Sequence, residues 1–205
     1  MKRLAILGAS GHGKVVADIA ECCGWHEVIF FDDVWPEVTH NGHWNVEGNS
    51  QTLVARLDDF TGVIVAIGNN GIRAEKLRWL SEMSAPVVTL IHPSAVISQY
   101  AELGVGTVVM PGVVVNVSSS IGEGVILNTG CSIDHDCRIG DCAHISPGAQ
   151  LAGGVQVGAQ SWVGIGASVK QLVSIGQQVT VGAGAAVVAD LPDGVTVVGV
   201  PAKTI

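Results

Sequence analysis

His135 and His144 are the two side chains of this sequence best suited to acid–base chemistry. Both stand in a stretch that is otherwise poor in ionisable groups, and His135 is flanked by Asp134 and Asp136. An imidazole titrates close to neutral pH, so it can take a proton from an attacking group. The pattern therefore predicts a functional site at His135 and a second functional residue at His144.

A six-residue repeat surrounds both histidines. From Leu103 to Val187 every sixth residue is aliphatic, fifteen positions without interruption, and Ile91 and Ile97 extend the series backward. This period is typical of the hexapeptide parallel β-helix, in which three hexads close one triangular coil. We therefore predict a left-handed parallel β-helix over residues 91–205. It should hold five coils in the uninterrupted stretch, with the last sixteen residues, which leave the period, as a cap.

The spacing of the two histidines constrains how they could cooperate. They are nine residues apart, which is half of an 18-residue coil, so they should lie on different faces of the coil. They cannot easily meet within one chain. They could meet across neighbouring chains of a trimer.

Residues 1–90 follow a different pattern, in which short apolar strands alternate with helices. One helix should begin beside the glycines that follow the first strand, and a second should span Ile72–Met83. This alternation predicts a small Rossmann-like βαβαβ domain. The predicted strands are Lys2–Leu7, Val28–Phe31, Val63–Ile67 and Val87–Ile91.

Glycine and polar residues cluster where these strands end. Ligands of such sheets bind beyond the carboxyl ends of the strands, and a helix N-terminus at a glycine loop can face a phosphate. Aspartates at this edge could accept hydrogen bonds from a ribose or a base, which together suits a nucleotide diphosphate. The candidate residues are Gly11, His12, Gly13, Asp32, Asp33 and Gly68, followed by Asn69 and Asn70.

Each of these features also has a less specific interpretation. The glycine loop nearly matches an NTPase P-loop, but Val15 stands where a serine or threonine must hold Mg²⁺. Asp32 and Asp33 could form an ordinary strand-ending turn. Arg73 could pair with a phosphate or could be a solvated helix charge. Residues 34–50 are interpreted mostly as a surface covering.

Composition excludes several kinds of partner. The net charge is −8 without any Lys/Arg run, which argues against nucleic acid and anionic membranes. The five cysteines are scattered, as expected of reduced thiols in a cytoplasmic protein. The first apolar stretch stops at Gly8, too early for a signal peptide. The long uncharged stretches carry the six-residue pattern, so no membrane span is expected.

Taken in order, the motifs of the chain resemble one family. They are similar to those of bacterial sugar-nucleotide N-acetyltransferases that acetylate a UDP-4-amino sugar, and of the related sialic acid O-acetyltransferases. The resemblance covers essentially the whole chain. It rests on Gly8-Ala-Ser-Gly-His-Gly, Phe31-Asp-Asp, Ala66-Ile-Gly-Asn-Asn with Arg73, Leu90-Ile-His-Pro-Ser-Ala, Leu127-Asn-Thr, Ile133-Asp-His-Asp-Cys, Ala143-His-Ile-Ser-Pro-Gly and Gly199-Val-Pro-Ala-Lys.

The resemblance implies a role for individual residues and a homotrimer with three sites between adjacent coils. His135 would be the general base and Asp136, where many relatives have glutamate, would orient it. Asn128 matches a substrate-contacting asparagine, and His144 and the backbone N–H of Gly153 match the thioester pocket. The residues that match the nucleotide pocket are Asp32, Asp33, Ile67, Gly68 and Arg73.

The chemistry of acetyl transfer fits these residues. An amine is largely protonated at neutral pH and must lose a proton before it attacks a thioester, and the tetrahedral oxyanion needs a fixed donor. Acetyl-CoA, the expected cosubstrate, is long and anionic. It could lie in the groove between coils with Lys203 near its phosphates.

The predicted function is therefore acetyl-CoA-dependent N-acetylation of the 4-amino group of a UDP-linked amino sugar, in bacterial glycan biosynthesis and without a metal. O-acetylation of a sialic acid is the main alternative. A zinc hydratase of the β-helix type would need three histidines, and the coils offer two. A non-catalytic sugar-nucleotide sensor would have no need of His135.

Overall fold

The computed structural model describes residues 2–205, which form two compact units divided between Pro93 and Ser94. The first is an α/β unit and the second is a β-helix. Both architectures were predicted from the sequence and are confirmed. None of the helices in residues 2–205 is long and apolar enough to cross a membrane.

The first unit is built on a parallel sheet of three strands, in which the strand of residues 3–7 lies between those of residues 27–31 and 62–65. Because helices cover such a sheet, its strands are apolar on both faces, and residues 4–7, 28–31 and 62–65 are buried throughout. The strands are β1 (Arg3–Leu7), β2 (Glu27–Phe31) and β5 (Gly62–Val65), and the helices are α1 (Gly11–Cys22), α2 (Ser50–Ala55) and α3 (Asn70–Glu82), with a 3₁₀ turn at Leu57–Asp59.

Three predicted details of this unit differ in the structure. Helix α3 begins two residues early, because the Asn69 side chain caps it by accepting the N–H of Ile72. The strand predicted at Val87–Ile91 is wrong as a continuous element: the chain makes one bridge to β5 at Val63 and turns away. Residues 34–50, predicted as a surface covering, contain a small hairpin of β3 (His40–Asn41) and β4 (Trp44–Asn45). The short strand β6 (Leu90–Ile91) is the last element of the unit.

The β-helix has three faces of stacked two-residue strands. The first face carries β7 (Val96–Ile97), β10 (Val114–Val115), β13 (Ser132–Ile133), β16 (Gln150–Leu151), β19 (Ser168–Val169) and β22 (Ala186–Val187). The second carries β8 (Glu102–Leu103), β11 (Ser120–Ile121), β14 (Arg138–Ile139), β17 (Gln156–Val157) and β20 (Ser174–Ile175). The third includes β9 (Val108–Val109), β12 (Ile126–Leu127), β15 (His144–Ile145), β18 (Trp162–Val163), β21 (Thr180–Val181), β23 (Thr196–Val198) and β24 (Lys203–Thr204).

The sequence repeat dictates this stack. Strands 18 residues apart pair in register, as Ile126 does with His144, and the aliphatic residue of each hexad points inward. About six coils form, because the repeat continues beyond the five predicted between residues 103 and 187. At the end of the stack β24 turns back antiparallel on β23, so that this edge is paired within the chain.

Candidate active site

His135 lies in the turn that joins the first face to the second, beside Asp136. Neighbouring residues of a flat strand point to opposite sides, but Asp136 has a left-handed backbone with φ of 60°. This turn folds its carboxylate back onto the imidazole, and Oδ2 lies 2.7 Å from His135 Nδ1. Both side chains are more than half exposed, so the pair is open to a substrate.

The contact with Asp136 determines how His135 can act. Because the carboxylate accepts from Nδ1–H, Nε2 keeps its lone pair and points away from Asp136. The pKa of His135 is raised, first by the hydrogen bond to Asp136 and next by the negative charge of Asp134. Asp134 is itself fixed, since its Oδ1 accepts the N–H of His135 and an amide N–H of Asn116. The arrangement is that of a general base with an orienting carboxylate.

Gly153 lies against the His135 ring, one coil further along the stack. A methyl group at Gly153 would sit 2.6 Å from both Cε1 and Nε2 of His135, so only glycine allows the ring to rest there. The following N–H, of Gly154, donates to the carbonyl oxygen of His135 at 2.8 Å. Among the described residues no carbonyl accepts the N–H of Gly153, so it remains available as a donor beside the base.

His144 lies on the third face, in strand β15, and is 7% exposed. Its Nε2 is 3.1 Å from Nδ2 of Asn128, one coil earlier. The N–H of Thr129 donates to Oδ1 of Asn128 at 2.8 Å, which fixes the orientation of the amide. Asn128 therefore donates to His144, and the imidazole proton resides on Nδ1.

Asn128 and His144 line a groove of about 600 Å³ along the third face, together with Ser146, Trp162 and Ile165. His135 lies at the turn between the other two faces, so the chain holds the two histidines at separate places of one coil, as their spacing predicted. Lys203, the predicted phosphate contact, is exposed on β24.

The predicted nucleotide residues of the first unit gather where β1 meets α1. Gly8 turns with a positive φ of 116°, and Gly13 packs against the Gly8 carbonyl, so neither position has room for a side chain. Helix α1 begins at Gly11, and Nε2 of His12 is buried without a hydrogen-bond partner among the described residues. Burial, and then the charge of Arg73, lowers the pKa of His12 to about 4, so the ring is neutral at physiological pH.

Asp32 and Asp33 hold the backbone at this edge. Asp32 accepts the N–H of Ala9 at 2.6 Å, which ties the end of β2 to the glycine loop. Asp33 accepts the N–H of Ser50 at 2.9 Å and pairs with Lys76 at 2.7 Å. Burial acts most strongly on Asp33 and opposes its ionisation, but hydrogen bonds from Lys76 and Ser50 outweigh it and lower the pKa to about 2. Each carboxylate keeps lone pairs for a ligand, whose contact stays a prediction.

Arg73 is not the solvated helix charge that one interpretation of the sequence allowed. It is 1% exposed, and its guanidinium donates to the carbonyl oxygens of Ile67 and Gly68 and to the Asn70 side chain, at 2.8, 3.1 and 2.8 Å. It thus shapes the loop that contains two of the predicted nucleotide residues. Direct contact between Arg73 and a phosphate stays a prediction.

Sequence reasoning missed Lys76 and Trp162. Lys76 lies three residues after Arg73 on α3, and this helical spacing is a signal that could have placed both on one face. Trp162 lies 18 residues after His144, and the repeat could have placed it directly beside that ring.

Repeated coils with an oriented, exposed histidine at a turn, together with an α/β unit with a glycine loop, define a hexapeptide-repeat acyltransferase. Comparisons with known proteins agree. Residues 3–80 match the PglD N-terminal domain, and residues 118–153 match the bacterial transferase hexapeptide (six repeats). UDP-N-acetylbacillosamine N-acetyltransferase of Bacillus subtilis (strain 168) is 37% identical over 109 residues, which cover 52% of this chain and 50% of that relative.

Two solved structures are similar over the whole chain. PerB from Caulobacter crescentus, in complex with CoA and GDP-perosamine, is 39% identical with a TM-score of 0.95, over 100% of this chain and 98% of that chain. The acetyltransferase domain of PglB from Neisseria gonorrhoeae, in complex with acetyl coenzyme A, is 41% identical with a TM-score of 0.95, over 100% and 99%. The chain therefore belongs to the family of hexapeptide-repeat sugar N-acetyltransferases with a PglD-type N-terminal domain.

Proposed function

We propose that the protein transfers the acetyl group of acetyl-CoA to the 4-amino group of a nucleotide-linked amino sugar, and that the nucleotide is UDP. The observation that carries the proposal is the His135–Asp136 pair at an exposed turn, with the ring against Gly153. The relatives support it, since the Bacillus subtilis protein is named an N-acetyltransferase and the two solved structures are complexes with CoA or acetyl coenzyme A.

In the proposed reaction His135 acts first, as the base, and Gly153 then stabilises the intermediate. Nε2 of His135 takes a proton as the sugar amine attacks the thioester carbonyl carbon, and the new C–N bond forms a tetrahedral oxyanion. The N–H of Gly153 donates to that oxyanion. The oxyanion collapses, the C–S bond breaks and CoA leaves as its thiol, having received the proton. These steps use no metal, and no group of three or more His, Cys, Asp or Glu side chains suited to a metal occurs in residues 2–205.

We also propose a homotrimer, which the separate places of His135 and His144 within one chain support. We propose that the groove at His144 binds the thioester end of acetyl-CoA and that His135 of a neighbouring subunit completes the site. Lys203 would then lie near the CoA phosphates.

Subunit complementation tests this assembly. His135→Ala and His144→Ala trimers should each be impaired, but unfolding and refolding them together should restore a substantial part of the activity, because mixed trimers regain intact sites. Each variant refolded alone is the control. A mixture no more active than its components, or an active monomer in sedimentation, would refute the shared site.

The first unit is proposed to bind the nucleotide. Asp32, tied to the glycine loop through Ala9, and the neutral His12 lie where the parallel strands end, the usual ligand edge of such a sheet. GDP is the second candidate, because the Caulobacter relative was solved with GDP-perosamine.

Thermal denaturation with UDP, GDP and CMP tests the nucleotide. UDP should raise the melting temperature most, because a ligand that binds only the folded state stabilises it. Asp32→Ala should reduce this shift and leave the shift with CoA unchanged, and Asp18→Ala, an exposed aspartate on α1, is the matched control. A larger shift with GDP would transfer the assignment to GDP-sugars, and one with CMP would favour sialic acid O-acetylation. If Asp32→Ala reduces the melting-temperature shifts with UDP and with CoA equally, Asp32 has only a structural role.

A further inference from the structure

Trp162 packs on His144 in the third-face groove. The two residues are register partners in the adjacent strands β15 and β18. Their ring centroids are 4.6 Å apart at an interplanar angle of 32°, so the indole covers one side of the imidazole. Trp162 is nevertheless 40% exposed, which is a large apolar exposure for a side chain that serves packing alone.

A hydrogen bond fixes the indole in this position. Nε1 of Trp162 donates to Oγ of Ser146 at 2.7 Å, and Ser146 is 3% exposed. Ser146 lies two residues after His144, so the bond ties Trp162 back to the strand that carries the imidazole. The hydrogen bond to Ser146 thus restrains one edge of the indole, and the His144 ring restrains the face of the indole.

His144 in turn is restrained from the opposite coil. Its Nε2 accepts from Asn128, whose amide orientation is set by the N–H of Thr129. The contacts therefore form one chain from Ser146 through Trp162 and His144 to Asn128. All four of these side chains line the same groove, so the chain of contacts ends at an amide that a ligand there can meet.

We propose that Trp162 and Ser146 are positioning residues, which hold the His144 ring in the plane where its Nε2 accepts from the Asn128 amide. They thereby keep His144 in the Nδ1–H tautomer and present both side chains to acetyl-CoA in one fixed arrangement. This inference rests on the proposed function for the identity of the ligand. The held tautomer is a property of the unliganded protein, which makes the inference testable even where no acetyl transfer is observed.

The first measurement is ¹⁵N NMR of the histidine side chains in the full-length protein. Wild type should show a fixed Nδ1–H tautomer for His144 in addition to that of His135, which Asp136 holds. The His144 signal should disappear in His144→Ala, which assigns it. Trp162→Ala loses both the ring contact and the hydrogen bond and should convert the His144 signal to the averaged pattern of a mobile ring. Ser146→Ala and Trp162→Phe lose the hydrogen bond but keep a ring on the imidazole, so both should show a partly averaged pattern.

The second measurement is steady-state kinetics with acetyl-CoA as the varied substrate. Trp162→Ala should lower kcat/KM for acetyl-CoA about 10-fold, the order expected when a ring contact and a hydrogen bond are both lost. Trp162→Phe should stay within about 3-fold of wild type, because the ring contact survives. Ser174→Ala, an exposed serine on the second face, is the control and should change neither measurement.

Trp162→Leu distinguishes positioning of the His144 ring by the indole from simple filling of the groove by an apolar side chain. It should resemble Trp162→Ala if the ring contact matters. A fixed Nδ1–H signature in both Trp162→Ala and Ser146→Ala would overturn the proposal, as would wild-type kinetics of both Trp162→Leu and Trp162→Ala. Absence of acetyl transfer in wild type, with the tautomer change intact, would reject the proposed function and not the positioning. If Trp162→Ala fails to fold, the His144 tautomer signal in Ser146→Ala decides whether the proposal stands.

Discussion

His135→Ala is expected to fold, assemble and bind both ligands, and yet to lose about 10²–10⁴-fold in turnover, the usual contribution of a general base. The side chain is more than half exposed and fills no part of the core, so its removal should leave the melting curve nearly unchanged. What is lost is the Nε2 lone pair that takes the amine proton.

The pH dependence distinguishes this role from a binding role. The general base acts only when it is deprotonated, so wild-type kcat/KM should fall as the pH decreases through the pKa of His135, which Asp136 raises. In His135→Ala the supply of free amine controls the rate. The difference in turnover between wild type and His135→Ala should therefore become smaller as the pH rises. Near-normal turnover of His135→Ala at neutral pH would remove His135 as the base and indicate that the substrate loses its proton without this side chain.

Gly153→Ala is expected to reduce turnover about 10²-fold, because displacing a catalytic group by about 1 Å can have this effect. The new methyl group would meet Cε1 and Nε2 of His135 at 2.6 Å, so the ring must move. Since the ring is at an exposed turn it can swing away, and the protein should still fold. Movement would also weaken the bond to Asp136, which should lower the His135 pKa and shift the acidic limb of the pH–rate profile to lower pH.

Gly194→Ala is the control for backbone effects at a turn. Gly194 has a positive φ of 71°, and no atom lies within 4 Å of a methyl group built there. This variant should lose some stability and keep its turnover. If Gly153→Ala retains full activity and an unshifted pH profile, the close approach of Gly153 to the ring has no role in catalysis.

The β-helix could be predicted because one aliphatic residue in each hexad is enough to reveal the six-residue period. Each inward aliphatic, such as Ile133 or Ile145, marks one hexad, and local backbone pairing then repeats every 18 residues. The positions of His135, His144 and Gly153 in the coil follow by counting. The strand expected at Val87–Ile91 failed because an apolar run does not reveal whether it pairs along its whole length.

The atomic contacts of the site could not be predicted by counting. The left-handed backbone of Asp136 falls in register with glycines of the repeat, such as Gly130 and Gly148, but the repeat does not show that the carboxylate placed there bonds to His135. The burial of Arg73 depends on the carbonyl groups of a folded loop, which have no signature in side-chain sequence. Such contacts follow from the three-dimensional turn and not from the residue pattern.

The most direct test of the account is the product formed by the purified wild-type protein from acetyl-CoA and a UDP-linked 4-amino sugar. NMR of the isolated product should show one acetyl group on the 4-nitrogen, formed in equal amount with free CoA thiol, and His135→Ala should form it far more slowly at neutral pH. Acetylation of a sugar hydroxyl in place of the amine, or no transfer to any nucleotide-linked amino sugar offered, would contradict the account.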